Sequence, residues 1–158
     1  MNAVFDSARF PERLRREFRT WDSSQPIAAD GSDRQFFRLR RPGASRICLY
    51  HPHPPGEPVT ENDSYAYIGR HLRQQGVPVP EILVYCREEG WFLLEDLGEH
   101  SLQEQYLQAD AHKRLALYRQ AMEVLAALQV FGTRGVAAAW CFDTPAYDAA
   151  LVRARECA

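Results

Sequence analysis

Four consecutive apolar residues, Trp91-Phe92-Leu93-Leu94, run straight into Glu95-Asp96-Leu97-Gly98. The run is too short for a helix that buries itself and suits a buried strand. Two carboxylates, a leucine and a glycine then end it at a polar corner, where Gly98 permits backbone angles that other residues avoid. Backbone N–H and C=O groups released from the sheet at that corner need partners. A flat, hydrogen-bonding ligand such as a purine could supply them.

The residues ahead of this corner alternate between strand and turn signals. Residues 4–20 read as a first helix, with Val4, Phe5, Phe10, Leu14, Phe18 and Trp21 at near-helical spacing among arginines. Pro11 marks a helix start, since proline is tolerated in the first turn. Three strands follow, led by Pro26-Ile27-Ala28-Ala29. The others are Gln35-Phe36-Phe37-Arg38-Leu39-Arg40 and Arg46-Ile47-Cys48-Leu49-Tyr50. Turns at Asp30-Gly31-Ser32-Asp33 and Arg41-Pro42-Gly43-Ala44 join them into a meander. Residues 51–58 hold four of the chain's 10 prolines and form a loop.

A helix is expected over 61–75, with Tyr65, Ile68 and Leu72 on one face, Thr60 as N-cap and Gly76 past its end. Val77-Pro78-Val79-Pro80 is extended, because a residue before proline is pushed out of the helical region. Ile82-Leu83-Val84-Tyr85 and Trp91 to Leu94 are the last two strands, separated by a polar turn at Arg87 to Gly90. Everything past Gly98 reads as helix. Ser101 caps a short helix through Leu107, with Glu104 completing a capping box. Residues 110–131 form a longer amphipathic helix carrying Leu115, Tyr118, Met122, Leu125 and Leu128, and 148–157 begin another. Strands in one block and helices in the next give an α+β fold with an antiparallel sheet.

Composition excludes several classes. A net charge of -2 gives no support for a nucleic-acid-binding surface, which is normally basic. No apolar run reaches the ~18 residues of a membrane span, and the charged N-terminus has no apolar signal core. Cys48, Cys86, Cys141 and Cys157 form no C-x-x-C pair, which fits reduced thiols in a cytoplasmic protein.

The individual motifs carry competing readings. The Gly31-Ser32-Asp33-Arg34-Gln35 turn could lay backbone N–H groups over an anion, or simply close a hairpin. Neither a dinucleotide fingerprint nor a P-loop is present. Arg38 and Arg40 share one face of their strand and could fork onto phosphate, although such arginines are more often solvated. His51 and His53 flank Pro52 in a surface loop, with no third metal ligand at a telling spacing. Glu95 and Asp96, being adjacent on a strand, point to opposite faces and do not form a carboxylate dyad.

Taken in order, the hairpin, single helix, Val-Pro-Val-Pro segment, second hairpin and acidic corner resemble one known arrangement. It is the N-terminal lobe of the aminoglycoside phosphotransferase and choline kinase superfamily. Within it, the chain is most similar to kinases that phosphorylate N-acetylmuramate and N-acetylglucosamine at the anomeric hydroxyl. Three segments carry the likeness: residues 31–39, residues 68–83, and Phe92-Leu93-Leu94-Glu95-Asp96-Leu97-Gly98. The resemblance implies a protein-kinase-like lobe, a five-stranded antiparallel sheet with one αC-type helix. An N-terminal helix over 1–24 would precede this lobe at 25–98, and residues 99–158 would begin a helical C-terminal lobe that the chain cuts short.

The same resemblance implies ATP as the bound nucleotide, Mg²⁺ with it, and a small-molecule hydroxyl as acceptor. Adenine would lie against a hinge at Glu95, Asp96 and Leu97, bonded to backbone. Gly31, Ser32, Asp33, Arg34 and Gln35 would cover the triphosphate, with Arg38 as a further nucleotide contact. Glu61 or Asp63 would be the acidic residue of the lobe helix.

Two departures accompany the likeness. Kinases carry a lysine on the third strand, and here that strand is Ile47-Cys48-Leu49-Tyr50-His51, with Lys113, the only lysine in the chain, far along. The sugar-kinase relatives also tend to lack it, and Arg38 could substitute. No H-G-D or H-R-D loop with a downstream asparagine occurs, nor a later metal-binding aspartate motif. The reading is thus the ATP-binding portion of a sugar kinase, inactive alone, with no catalytic residue and no metal ligand of its own. A non-catalytic nucleotide-binding or regulatory domain is the alternative, and a plain α+β interaction module the third. Apolar surface on the last helices would favour self-association.

Overall fold

The structure is a computed structural model, and it describes residues 7–28, 33–53, 56, 58–143, 149 and 153. Five strands form one antiparallel sheet. They are β1 (Ser23–Ile27), β2 (Gln35–Arg41), β3 (Ala44–Tyr50), β4 (Ile82–Cys86) and β5 (Trp91–Glu95), in the spatial order β1-β2-β3-β5-β4.

β5 lies inside the sheet, and its apolar side chains are divided between two layers. Trp91 and Leu93 point to the outer face, where α1 (Glu12–Phe18) lays Leu14 and Phe18 beside Phe10, Phe37, Leu39 and Cys48. Phe10 and Phe18 meet Phe37 edge-on, with ring centroids 5.4 and 5.6 Å away. Phe92 and Leu94 point to the inner face, where α2 (Glu61–Gln74) covers Leu49 with Ala66 and Tyr65. Cover on both faces is why this strand shows an unbroken apolar run instead of alternation.

Two elements differ from their expected bounds for reasons that lie in proline chemistry. The helix expected over 4–20 is a 3₁₀ turn at Ser7–Arg9 followed by α1, with Pro11 in extended geometry at the N-cap. A helix running through Pro11 would set its ring against the preceding turn and force Phe10 out of helical angles. Val4 and Phe5 lie outside the described residues. β1 starts at Ser23, ahead of the expected Pro26, and ends at Ile27. It is an edge strand, so the N–H that Pro26 lacks is not needed by a second neighbour.

The loop after β3 is pinned where the turn between β4 and β5 reaches it. His51 N–H donates to Gly90 C=O at 2.8 Å. Gly90 has φ +67°, and a Cβ there would stand 2.5 Å from His51 C=O. A side chain at this position is therefore excluded twice, by angle and by space.

Past the sheet, α3 (Leu102–Gln108) begins at the Ser101–Glu104 capping box and α4 (Ala111–Ala127) at Asp110. The expected helix over 110–131 changes character at its end, where Leu128–Gly132 forms a π-helical turn. This turn packs closely on α2: a Cβ at Gly132 would come within 2.6 Å of Leu72 Cδ2. His71 Nε2–H donates to Gly132 C=O at 3.0 Å. A 3₁₀ turn at Ala138–Trp140 also docks on α2. Ser64 Oγ donates to Trp140 C=O at 2.5 Å and accepts from Phe142 N–H at 2.9 Å. Leu115, Tyr118, Met122 and Leu125 of α4 stay exposed. The helix expected over 148–157 falls, apart from 149 and 153, outside the described residues. Among the described residues no helix is long and apolar enough to cross a membrane.

Candidate functional site

Strand alternation gives the inner face of the sheet two chemically different ends. Phe36, Arg38 and Arg40 of β2 pair across to Leu49, Ile47 and Ser45 of β3. The aromatic and aliphatic members sit under α2, whereas Arg38, Arg40 and Ser45 lie toward the corner after β5.

At that corner Asp96 gathers four donors. Arg38 grips it bidentately, with Nε to Oδ2 at 2.9 Å and Nη2 to Oδ1 at 3.2 Å. Ser45 Oγ donates to Asp96, and Gly98 N–H reaches Oδ1 at 3.0 Å. Arg38 also donates to Gly98 C=O at 2.6 Å and to Glu99 at 3.3 Å, and Arg40 pairs with Glu99. Burial pushes the Asp96 carboxyl up, but Ser45, Arg38 and Gly98 together outweigh it and hold the group below the usual carboxylate range.

Glu95 turns the other way, accepting from Glu81 N–H at 3.0 Å and Arg73 at 3.3 Å. The two carboxylates therefore diverge, as strand geometry requires. Between these anchored residues Leu97 projects its side chain into solvent, 69% exposed. Its backbone N–H and C=O have no hydrogen-bond partner among the described residues.

The other end of the inner face holds an ion pair. Arg34, just ahead of β2, pairs with Glu61 in the first turn of α2, and its guanidinium stands 5.8 Å from the centre of the Tyr65 ring. Both side chains line a cavity of about 340 Å³ whose walls include Tyr65, Ile68, Leu72 and Ile82. Gln35 is held by Arg9 at 3.0 Å, and Asp33 is exposed. Gly31 and Ser32 lie outside the described residues.

Of the two acidic candidates on α2, only Glu61 faces this cavity. Asp63 is buried at 1% exposure and forms a capping box with Thr60. Arg87 Nε and Nη2 reach it at 2.9 Å, as does the Tyr85 hydroxyl. Burial raises the Asp63 carboxyl, but Arg87, Thr60 and Tyr85 overcome this and hold it well below its ordinary range. The sequence pointed to Thr60 as a cap without pairing it with Asp63, because an aspartate occupies the place where a capping box usually has glutamate or glutamine. Arg87 carries no local signal, since the turn that holds it reaches α2 only through the fold.

His51 Nδ1 lies 3.3 Å from Asn62 Oδ1, and His53 Nε2 bonds Arg87 C=O at 2.9 Å. Among the described residues no three His, Cys, Asp or Glu side chains gather into a set that could hold a metal ion.

The corner can be tested by itself. Asp96→Ala strands the donors of Arg38, Ser45 and Gly98, and a loss of about 2 kcal/mol of folding stability is expected. Ser45→Ala removes one donor only and should cost about 1 kcal/mol. Urea unfolding measures both, and equal small losses under ~0.5 kcal/mol would show the network to be ornamental.

Residues 23–156 match the model of the phosphotransferase enzyme family. The chain is also similar to an N-acetylmuramate/N-acetylglucosamine kinase of Pseudomonas aeruginosa. The two are 30% identical over 128 residues, 81% of this chain and 34% of that protein. The chain thus spans about a third of the length of the curated relative it matches.

Proposed function

The chain belongs to the phosphotransferase enzyme family, and on that premise we propose that it is the nucleotide-binding portion of an ATP-dependent kinase acting on a sugar hydroxyl. Residues 25–98 form the nucleotide lobe in this reading, with the hinge at 95–98, and 99–158 open the helical part. The observation that carries it is the corner at Asp96-Leu97-Gly98. The Asp96 carboxylate is already satisfied by Arg38 and Ser45, while the neighbouring Leu97 backbone has no partner among the described residues. A purine edge needs such a donor and acceptor on one strand of backbone, without a competing free carboxylate.

Arg38 then works at the base end, as the residue that shapes the hinge. Asp33, Arg34 and Gln35, with Gly31 and Ser32 ahead of them, belong to the phosphate end, and Glu61 is the acidic residue of α2 that faces it. Mg²⁺ would accompany the nucleotide, but the described residues offer no donor set for it, so no step is assigned to the metal here. The sugar class rests on the named activity of the relative. Without the missing catalytic-loop motif, the 158-residue chain is expected to bind nucleotide and not to transfer phosphate. Its exposed α4 face favours self-association at high concentration.

Hydrogen exchange provides the test. Saturating ATP should slow the amides of residues 95–98 several-fold relative to the free chain, while those of α4 stay unchanged. Unaltered exchange at 95–98 under saturation would remove the hinge from the account. A second reading, a nucleotide-binding domain without catalytic duty, is favoured by Leu49. This residue is 1% exposed on the inner face of the third strand, which carries no lysine. Phosphate release or transfer assayed on the whole encoded protein separates the two.

A further inference from the structure

We propose that β4 is an interaction edge whose occupant is the β4 strand of a second copy of this chain, paired antiparallel about a two-fold axis at Val84. Nucleotide plays no part in this contact. β1 and β4 are the outermost strands of the sheet, and among the described residues neither has a strand on its outer side. β1 reads Ser23-Ser24-Gln25-Pro26-Ile27, polar and interrupted by a proline that cannot donate, so it makes a poor template. β4 reads Ile82-Leu83-Val84-Tyr85-Cys86, without charge or proline. Leu83 and Val84 are 40% and 37% exposed there. An apolar, strand-forming edge left open is a template for another strand.

Strand parity fixes which backbone groups this edge offers. In an antiparallel ladder, successive residues bond alternately to one side and to the other. His51 N–H donates to Gly90 C=O, so Gly90, Phe92 and Leu94 bond toward β3, and Trp91, Leu93 and Glu95 bond toward β4. The Glu95 N–H, which donates to Glu81 C=O, obeys the same parity. Cys86 and Val84 face Trp91 and Leu93 and are taken up by them. Tyr85 between them turns its N–H and C=O outward. Leu83, which the register shift between Ile82 and Val84 skips, has no partner in β5. Setting Val84 against Val84 of the second copy brings Leu83 opposite Tyr85 on both sides of the axis, so these groups meet. The same register brings Glu81 opposite Arg87 of the second copy at both ends. Both side chains reach solvent, and Arg87 keeps its bonds to Asp63. The strand is thus complementary to itself in backbone, apolar centre and charge, as an interface between identical patches must be.

Sedimentation equilibrium of the whole 158-residue chain decides the matter, with Met122→Lys present throughout to break up the exposed apolar face of α4. A five-residue edge buries far less than the ~1,600 Å² of a standard interface, so a dimer with a Kd on the order of 100 µM is expected. Leu83→Lys puts a charge into the edge and should weaken that dimer about tenfold or more. Glu81→Lys sets like charges opposite each other at both ends and should weaken it about two- to tenfold. Amide exchange reads the same contact without a substitution in β4. The Leu83 and Tyr85 N–H groups should slow as concentration rises through the Kd, while Ser24 and Gln25 of β1 stay unchanged. This measurement carries the test if Leu83→Lys fails to fold by circular dichroism. Three results would each overturn the assignment. They are a monomer at about 1 mM, a dimer that a folded Leu83→Lys variant leaves within about twofold of its parent, and a dimer whose formation leaves the Leu83 and Tyr85 amides unprotected.

Discussion

Truncating Phe92 to alanine is expected to remove about 3–5 kcal/mol of folding free energy. Phe92 is fully buried, stacked on Tyr85 with centroids 4.3 Å apart and an interplanar angle of 7°. Tyr65 meets it edge-on at 5.3 Å. Removing the ring loses transfer energy, opens a cavity and breaks two aromatic pairs worth about 0.5–1.5 kcal/mol each. The loss is a large fraction of the ~5–15 kcal/mol that holds an ordinary domain together. Phe92→Leu, which refills most of the volume, should cost under half as much. Denaturant midpoints at constant m-value measure both. A loss below ~1.5 kcal/mol for Phe92→Ala would mean that α2 settles onto β5 without strain.

Asp63→Ala should be the costliest polar substitution, at about 3 kcal/mol. It leaves the Thr60 N–H and the Tyr85 hydroxyl without their acceptor and removes half of a capping box. The figure sits at the low end for a buried ion pair because Arg87 is 45% exposed and can return to water. Asp63 also sets a pH dependence. Its folded carboxyl titrates below the unfolded value, so its stabilising contribution is full above the ordinary carboxylate range. That contribution is lost as pH falls from ~5 through the folded pKa. Asp96 is lowered as well and acts in the same acid window. Stability measured between pH 7 and 3 should therefore fall more steeply for the parent than for Asp63→Asn. Parallel curves would remove Asp63 from the account of acid sensitivity.

The sheet was readable because its signals are local. Strand runs such as Gln35 to Arg40, the Arg41-Pro42-Gly43-Ala44 turn and the Ser101–Glu104 capping box each declare themselves within a few residues. β1 starts three residues ahead of its expected bound because Ser23-Ser24-Gln25 has little strand propensity and is recruited by pairing with Arg38 to Arg40. Long-range pairings left no local trace. Arg87 reaching Asp63, or Phe10 covering Phe37, depends on which layer lands where. The candidate site divides in the same way. The acidic corner was visible as a break in an apolar run, and the divergence of Glu95 and Asp96 follows from strand period. The capture of Arg38 by Asp96 was not visible, since 58 residues separate them in sequence. In the linear pattern alone, Arg38 reads more readily as a solvated arginine than as a phosphate contact.

The two bonds of Ser64 have a mechanical meaning. α2 packs on β5 through Tyr65 and Ala66, and it is fastened to the segment beyond the corner through Ser64 and His71. The chain therefore passes from sheet to helices along one covalent thread at 96–98 and is riveted a second time, side by side, at α2. A body held at a single point can swivel in any direction, whereas one held at two points turns about the line joining them. Any rocking of the helices against the sheet must use that axis or shear the Ser64 bonds to Trp140 and Phe142.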